Sequence, residues 1–199
     1  MCLLIESIKI QNRVPQNLEY HNARLNSSRF ELFGLSDILD LHDYLRVPND
    51  LTNDVYKCRV VYKETIQYQQ YLPYTPKTVK TLKLVVDENI DYKHKYLDRS
   101  RLDKLRAGSG SDDILIVKDN CITDASSANV VFYDGTAWLT PSDPLLRGTK
   151  RQQLLDMRII HEKKIEVQDL RRFQKCALIN AMRDLDREHY ISVNNIIGI

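Results

Sequence analysis

The residue of this sequence with the most evident chemical potential is a lysine between aromatic neighbours. In His94-Lys95-Tyr96-Leu97-Asp98-Arg99-Ser100, Lys95 falls between a predicted strand and a predicted helix. Partial burial there would disfavour the ammonium form and make the free amine available to attack an aldehyde. Lys93 has the same local surroundings, so the immediate sequence does not separate the two. Read singly, either is an ordinary exposed lysine.

Other polar groups gain interest from their order along the chain. Tyr20-His21-Asn22-Ala23-Arg24-Leu25 lies on a predicted helix, with His21 and Arg24 as neighbours on its surface. Alone, Arg24 reads as a solvated helix residue. Thr123-Asp124-Ala125-Ser126-Ser127-Ala128-Asn129 joins two predicted strands and sets a carboxylate among small residues, a pattern that also describes a plain turn. Thr140-Pro141-Ser142-Asp143-Pro144-Leu145-Leu146-Arg147-Gly148-Thr149-Lys150-Arg151 leads through glycine into a helix start. Backbone N–H groups at such a start are unpaired and sit at the positive end of the helix dipole, so this loop can take a phosphate, with the Thr149 hydroxyl as a further donor. A Gly-Thr pair before a helix is equally ordinary capping chemistry.

The elements that must position these groups follow from hydrophobic period and turn residues. Residues 3–10 read as a strand, 17–33 as a helix stopped by Gly34, and Ser36 as the N-cap of a second helix. Alternation through Tyr56, Cys58, Val60 and Tyr62 gives a half-buried strand that pairs with Ile66 to Tyr71 as a hairpin. Two prolines in Leu72-Pro73-Tyr74-Thr75-Pro76-Lys77 end both patterns. The reading is a small α/β domain over 1–74, a linker over 75–80, and a β-rich domain over 81–199. The latter contains a strand over 82–86, a short helix over 98–105, a disordered connection at Gly108-Ser109-Gly110-Ser111, and strands at 114–118, 121–124, 130–133 and 137–140 separated by Asp119-Asn120 and Asp134-Gly135 turns. A helix over 150–157, a strand near 165–167 and the apolar run 176–181 close it.

Composition narrows the classes. With 199 residues the chain can bury a core without staples, and 29 basic against 27 acidic residues, with no run of five like charges, point away from nucleic acid and acidic membranes. Four scattered cysteines form no CxxC pair, so no metal site or disulfide framework is signalled, and reduced thiols in a cytoplasmic protein are expected. The longest apolar runs, such as Ile114 to Val117, suit a buried strand and not a membrane span. The start Met1-Cys2-Leu3-Leu4-Ile5 meets Glu6 too soon for a signal peptide.

In this order, Glu6-Ser7-Ile8-Lys9-Ile10, His21-x-x-Arg24-Leu25, the lysine before Asp98-Arg99, Thr123-Asp124 with Asn129, and Thr140-Pro141 through Leu146-x-Gly148 to Arg151 resemble the class IV aminotransferase family, over nearly the whole chain. That family includes branched-chain and D-amino acid aminotransferases and 4-amino-4-deoxychorismate lyase. The Lys95 segment and Asn180-Ala181-Met182 look more like the lyase. The resemblance implies an α+β, two-domain D-amino acid aminotransferase-like fold and pyridoxal 5'-phosphate as cofactor, and it makes the β-rich domain over 81–199 the cofactor-binding domain. It implies a Schiff base on Lys95, which would also move the proton at the substrate carbon, and Asp124 as partner of the pyridine nitrogen. Arg24 would hold the phosphate together with Gly148 and Thr149, and Asn129 would shape the strand beside the cofactor. Glu6 and Arg59 would lie nearby without an assigned role. The implied partners are a small amino acid or an aminodeoxychorismate-like substrate and a second copy of the chain, as a homodimer.

The sequence departs from the family at several positions. Asp124 replaces the usual glutamate and is one methylene shorter, Val131 stands where the family has an aromatic residue, and Thr149 replaces an aliphatic one. The segment that in the family precedes the first strand is missing from this sequence, which suggests a more open substrate pocket. Pyruvate elimination is the preferred activity. The alternatives are amino transfer on branched-chain or D-amino acids, a degenerate member without turnover, and an unrelated α/β domain in which Lys95 is a surface lysine.

Overall fold

The computed structural model describes residues 2–198, which divide into two compact units. The first runs to Pro76 and takes in His94–Asp98; the second comprises Lys77–Lys93 and everything from Arg99 onward. The segment around Lys95, placed by the sequence in the second half, thus groups with the first.

In the first unit, β1 (Leu4–Gln11) turns through Asn12 and Arg13, both at positive φ, into β2 (Val14–Pro15). Helix α1 (Leu18–Phe33), the one-turn α2 (Leu41–Tyr44), β3 (Tyr56–Tyr62) and β4 (Ile66–Pro73) follow. The sheet order is β2-β1-β3-β4, and the three pairings are antiparallel. Period-two patterning on β1 sends Leu4, Ile8 and Ile10 to one face, where they meet Leu18 and Leu25 of α1 and Cys58, Val60 and Tyr62 of β3 in the core. Each such fully buried aliphatic side chain contributes roughly 1.5–3 kcal/mol. Helix α1 ends as expected at Gly34, whose φ of +70° no β-branched or bulky residue adopts cheaply, with its N–H on Phe30 O.

The helix expected from Ser36 does not form; α2 begins at Leu41, capped by Asp40, whose side chain accepts from His42 N. One face of α1 explains the difference. Asn26 donates to Leu39 O and accepts from Leu39 N, Asn22 bonds Asp40 and Leu41 N, and Arg29 donates to the Asp37 carbonyl and carboxylate. These bonds satisfy the backbone and side chains of the loop and hold it irregular against the helix.

In the second unit, β5 (Leu82–Val86), α3 (Ser100–Ala107), β6 (Asp113–Lys118) and β7 (Cys121–Ala125) lead to β8 (Asn129–Tyr133), β9 (Trp138–Pro141), α4 (Thr149–Asp156), β10 (Ile160–Lys163), β11 (Lys175–Ile179), β12 (Ile191–Ser192) and β13 (Ile196–Ile197). They build two sheets, β10-β9-β8-β11-β12 and β13-β5-β6-β7. Their shared core joins Leu82, Leu115, Val117 and Ile122 of the second to Val130, Phe132, Cys176 and Leu178 of the first. Asp119 and Asn120 both take positive φ, as a two-residue hairpin turn requires.

Two local expectations are corrected in this unit. The connection at 108–111 is ordered: Ser109 Oγ donates to Arg106 O and accepts from Ser111 N, and Ser111 Oγ donates to Asp113 O. The strand expected near 165–167 is instead a bridge from Glu166 to Cys121 followed by a 3-10 turn over Val167–Arg172, which a reciprocal Glu166–Asp169 capping box starts; β10 lies earlier. Among the described residues no helix is long and apolar enough to cross a membrane.

Candidate active site

In the first unit, Glu6 interrupts the apolar stripe of β1, between Leu4 and Ile8 on the core-facing side, and is fully buried. Helix α1 brings two partners to it. Arg24 donates Nε to Oε1 at 2.9 Å and Nη2 to Oε2 at 2.5 Å, and His21 Nδ1 lies 2.6 Å from Oε2. Burial alone would raise the Glu6 pKa, but the Arg24 charge and the bonds from His21 and Arg24 outweigh it and hold it down at about 2. Glu6 is therefore ionised at any working pH, and Nδ1 carries the hydrogen of this contact. Burial lowers the His21 pKa, against the pull of Glu6; the charges of Arg24 and Lys95 act the same way as burial. The result is a neutral imidazole whose Nε2 has no hydrogen-bond partner among the described residues.

Lys95 is fixed beside this cluster through its backbone. Ile5 N donates to Lys95 O at 3.0 Å, Leu97 N donates to Leu3 O at 2.9 Å, and Tyr96 bridges Leu4, so the segment lies along the start of β1, one residue from Glu6. His94 packs inward, with Nδ1 at 3.3 Å from Ser28 Oγ on α1 and its ring edge-on to Tyr96. Lys95 is half-buried and its charge reaches His21, whereas Lys93 is exposed and belongs to the other unit. The two lysines that the sequence could not separate differ in this way.

In the second unit, the buried end of β7 carries Asp124, 5 % exposed. Asn129, first residue of β8, donates Nδ2 to Asp124 Oδ1 at 2.7 Å and to Leu146 O at 2.8 Å, while Leu146 N donates to Asp124 Oδ2 at 2.9 Å. One side-chain amide and one backbone amide thus hold both carboxylate oxygens and tie the 140–148 loop to the strands. Burial pushes the Asp124 pKa up to about 7, although these two bonds and the charge of Arg151 pull the other way. Arg99 supports the turn that follows, donating Nη2 to Ser126 O at 2.8 Å.

Gly148 is the N-cap of α4, and as a glycine it offers no side chain to cap the first turn. A Cβ on Gly148 would stand 2.0 Å from Asn129 Oδ1, so the close approach of the Asn129 carboxamide demands glycine here. Thr149 is buried at the first position of the helix. Arg151, 1 % exposed, donates Nη2 to Pro141 O and to Glu162, while its Nε and Nη1 have no partner among the described residues.

Each unit therefore gathers part of the expected set: Arg24 with Lys95 in the first, and Asp124, Asn129, Gly148 and Thr149 in the second. The sequence reading named Glu6 without a role and treated His21 only as a neighbour of Arg24. The signal for Glu6 was a carboxylate within an apolar period-two stripe, since such a residue is buried only when partners meet it. Leu146 acts through its backbone, which no side-chain pattern can reveal. Among the described residues no group of acidic, histidine or cysteine side chains is arranged to hold a metal ion.

Comparison with known proteins places this arrangement. The model of the family described as amino-transferase class IV matches residues 3–185. An uncharacterised protein of Haemophilus influenzae Rd is 36% identical over 185 residues, covering 92% of this chain and 98% of the relative. A crystal structure of a candidate 4-amino-4-deoxychorismate lyase from Haemophilus somnus 129PT is 31% identical, covers 93% of this chain and 98% of its own, and superposes with a TM-score of 0.84. A hypothetical aminotransferase from Mycobacterium tuberculosis in its PLP-bound form shares the fold, with a TM-score of 0.79 at 19% identity over 99% of this chain and 82% of its own. The buried Asp124–Asn129 pair, the glycine-led helix start and the lysine clipped to the first strand thus occur in a chain that belongs to the class IV aminotransferase family.

Proposed function

We propose that this chain is a pyridoxal 5'-phosphate enzyme that carries the cofactor as a Schiff base on Lys95 and eliminates pyruvate from an aminodeoxychorismate-like substrate. The observation that carries the cofactor assignment is Asp124. A carboxylate is costly to bury, and among the described residues Asp124 receives hydrogen bonds from Asn129 and Leu146 but meets no cation in direct contact, so a protonated pyridine nitrogen is the kind of partner that would complete its surroundings. The glycine-led start of α4 suits the phosphate end for the same reason: unpaired N–H groups at the positive end of a helix favour an anion. The residues present therefore fit the cofactor.

When bound, pyridoxal phosphate supplies an electron sink for the charge left as a proton leaves the substrate carbon. The protein's share is positional. Asp124 would keep the pyridine nitrogen protonated, with Asn129 and the Leu146 amide fixing the direction of the carboxylate. Arg24 and the amides of Gly148 and Thr149 would grip the phosphate. Lys95 would take and return the substrate proton as an amine.

The likeness to the candidate lyase at 31% identity over nearly the full length of both chains favours elimination over amino transfer. The test is a product assay with aminodeoxychorismate: formation of pyruvate with the aromatic amine left behind supports the proposal. Amino transfer to a keto acid without pyruvate assigns the chain to the transaminases, and neither reaction from cofactor-loaded protein marks a family member without turnover.

A further inference from the structure

Resting on that reading, we infer that Glu6 and His21 are positioning residues for the phosphate end of the cofactor, acting through Arg24. A carboxylate at a core position of β1 is an expensive choice, because an apolar residue there would pack against Leu4 and Ile8 with no desolvation cost. What the carboxylate adds is direction. Its two oxygens receive Nε and Nη2 of Arg24 side by side, and this two-point contact fixes the plane of a guanidinium that otherwise ends a long, mobile side chain. His21 Nδ1–H on Oε2 stops the carboxylate from turning away. Glu6 is wholly buried while Arg24 keeps 13% of its side chain exposed, so Arg24 is the member of the ion pair with surface left for an incoming anion.

A purely structural ion pair between α1 and β1 predicts a different outcome, and ligand chemistry separates the two. Capture by Lys95 is measured for pyridoxal 5'-phosphate and for pyridoxal, which has the same aldehyde and no phosphate, in the wild type, Glu6→Gln, Glu6→Asp and Arg24→Gln. The Gln variant keeps the shape of Glu6 but removes its charge and one acceptor; the Asp variant keeps the charge and draws it back by a methylene. The expected result is that both Glu6 variants raise the half-saturating concentration of pyridoxal phosphate about tenfold more than that of pyridoxal, the scale of one charge-assisted contact, approaching the ratio of Arg24→Gln. A folded Glu6 variant that keeps the wild-type ratio overturns the inference, and so does failure of both variants to give a cooperative melting transition, which assigns Glu6 to the core alone. Wild-type protein that captures neither aldehyde at Lys95 overturns the cofactor reading itself.

Discussion

Replacing Asp124 by asparagine is expected to change the pH dependence of stability in a direction that its burial dictates. In the cofactor-free fold the Asp124 carboxyl has a pKa of about 7, against an ordinary value of 3.8. The folded state therefore holds a proton that the unfolded chain has released between those two values, and stability falls as pH rises through that window, then levels off above pH 7. At roughly 1.4 kcal/mol per pH unit, with the slope fading as the folded carboxyl itself titrates near pH 7, the wild type should lose about 2 kcal/mol relative to Asp124→Asn between pH 5 and pH 7. The asparagine also loses an acceptor for Leu146 N, at a cost of about 1–3 kcal/mol, but that cost does not vary with pH and leaves the slope untouched. Urea denaturation of both cofactor-free proteins from pH 5 to pH 8 reads the difference directly. Parallel curves would refute the claim that a buried, nearly uncompensated carboxyl occupies this position. Added pyridoxal phosphate should stabilise the wild type more than the variant at pH 8, since only the aspartate gains a charged partner.

Gly148→Ala should destabilise the protein by about 1–3 kcal/mol, because the new methyl displaces the Asn129 carboxamide and loosens its hold on Asp124. Gly108→Ala is the control: its φ is −78° and the nearest atom to a Cβ is 3.5 Å away, so a neutral effect or a gain of about 0.5 kcal/mol is expected from urea midpoints. Lys175→Met should cost about 1 kcal/mol and shift the emission of Trp138, the only tryptophan, because Lys175 Nζ lies 4.6, 4.8 and 5.8 Å from the ring centres of Tyr190, Tyr133 and Trp138. Unaltered fluorescence and midpoint would remove the cation–π account of that cluster.

The sequence was most readable where local chemistry and tertiary demand agree. Helix α1 has apolar residues at helical spacing and a glycine stop, and the Asp119-Asn120 turn announces its hairpin. It was least readable where distant residues override local preference. Ser36 is a sound N-cap by type, yet Asn22, Asn26 and Arg29 on the neighbouring helix hold that stretch irregular. Residues 108–111 are rich in glycine and serine, but their hydroxyls bond the adjacent backbone and give the stretch order. At the candidate site, the residue types were visible through their order along the chain, and their support was not. Glu6 could be named but given no role, Leu146 contributes an amide that every residue has, and Lys95 parted from Lys93 through its pairing with β1, its burial and its unit.

The central claim is that Lys95 is the lysine that carries the cofactor. Purified protein incubated with pyridoxal phosphate, reduced with borohydride, digested and analysed by mass spectrometry locates the modified residue. The account predicts one pyridoxyl adduct, on the peptide containing Lys95 and at Lys95 itself. Modification at Lys93 or at any other lysine, or no adduct at all, would contradict it.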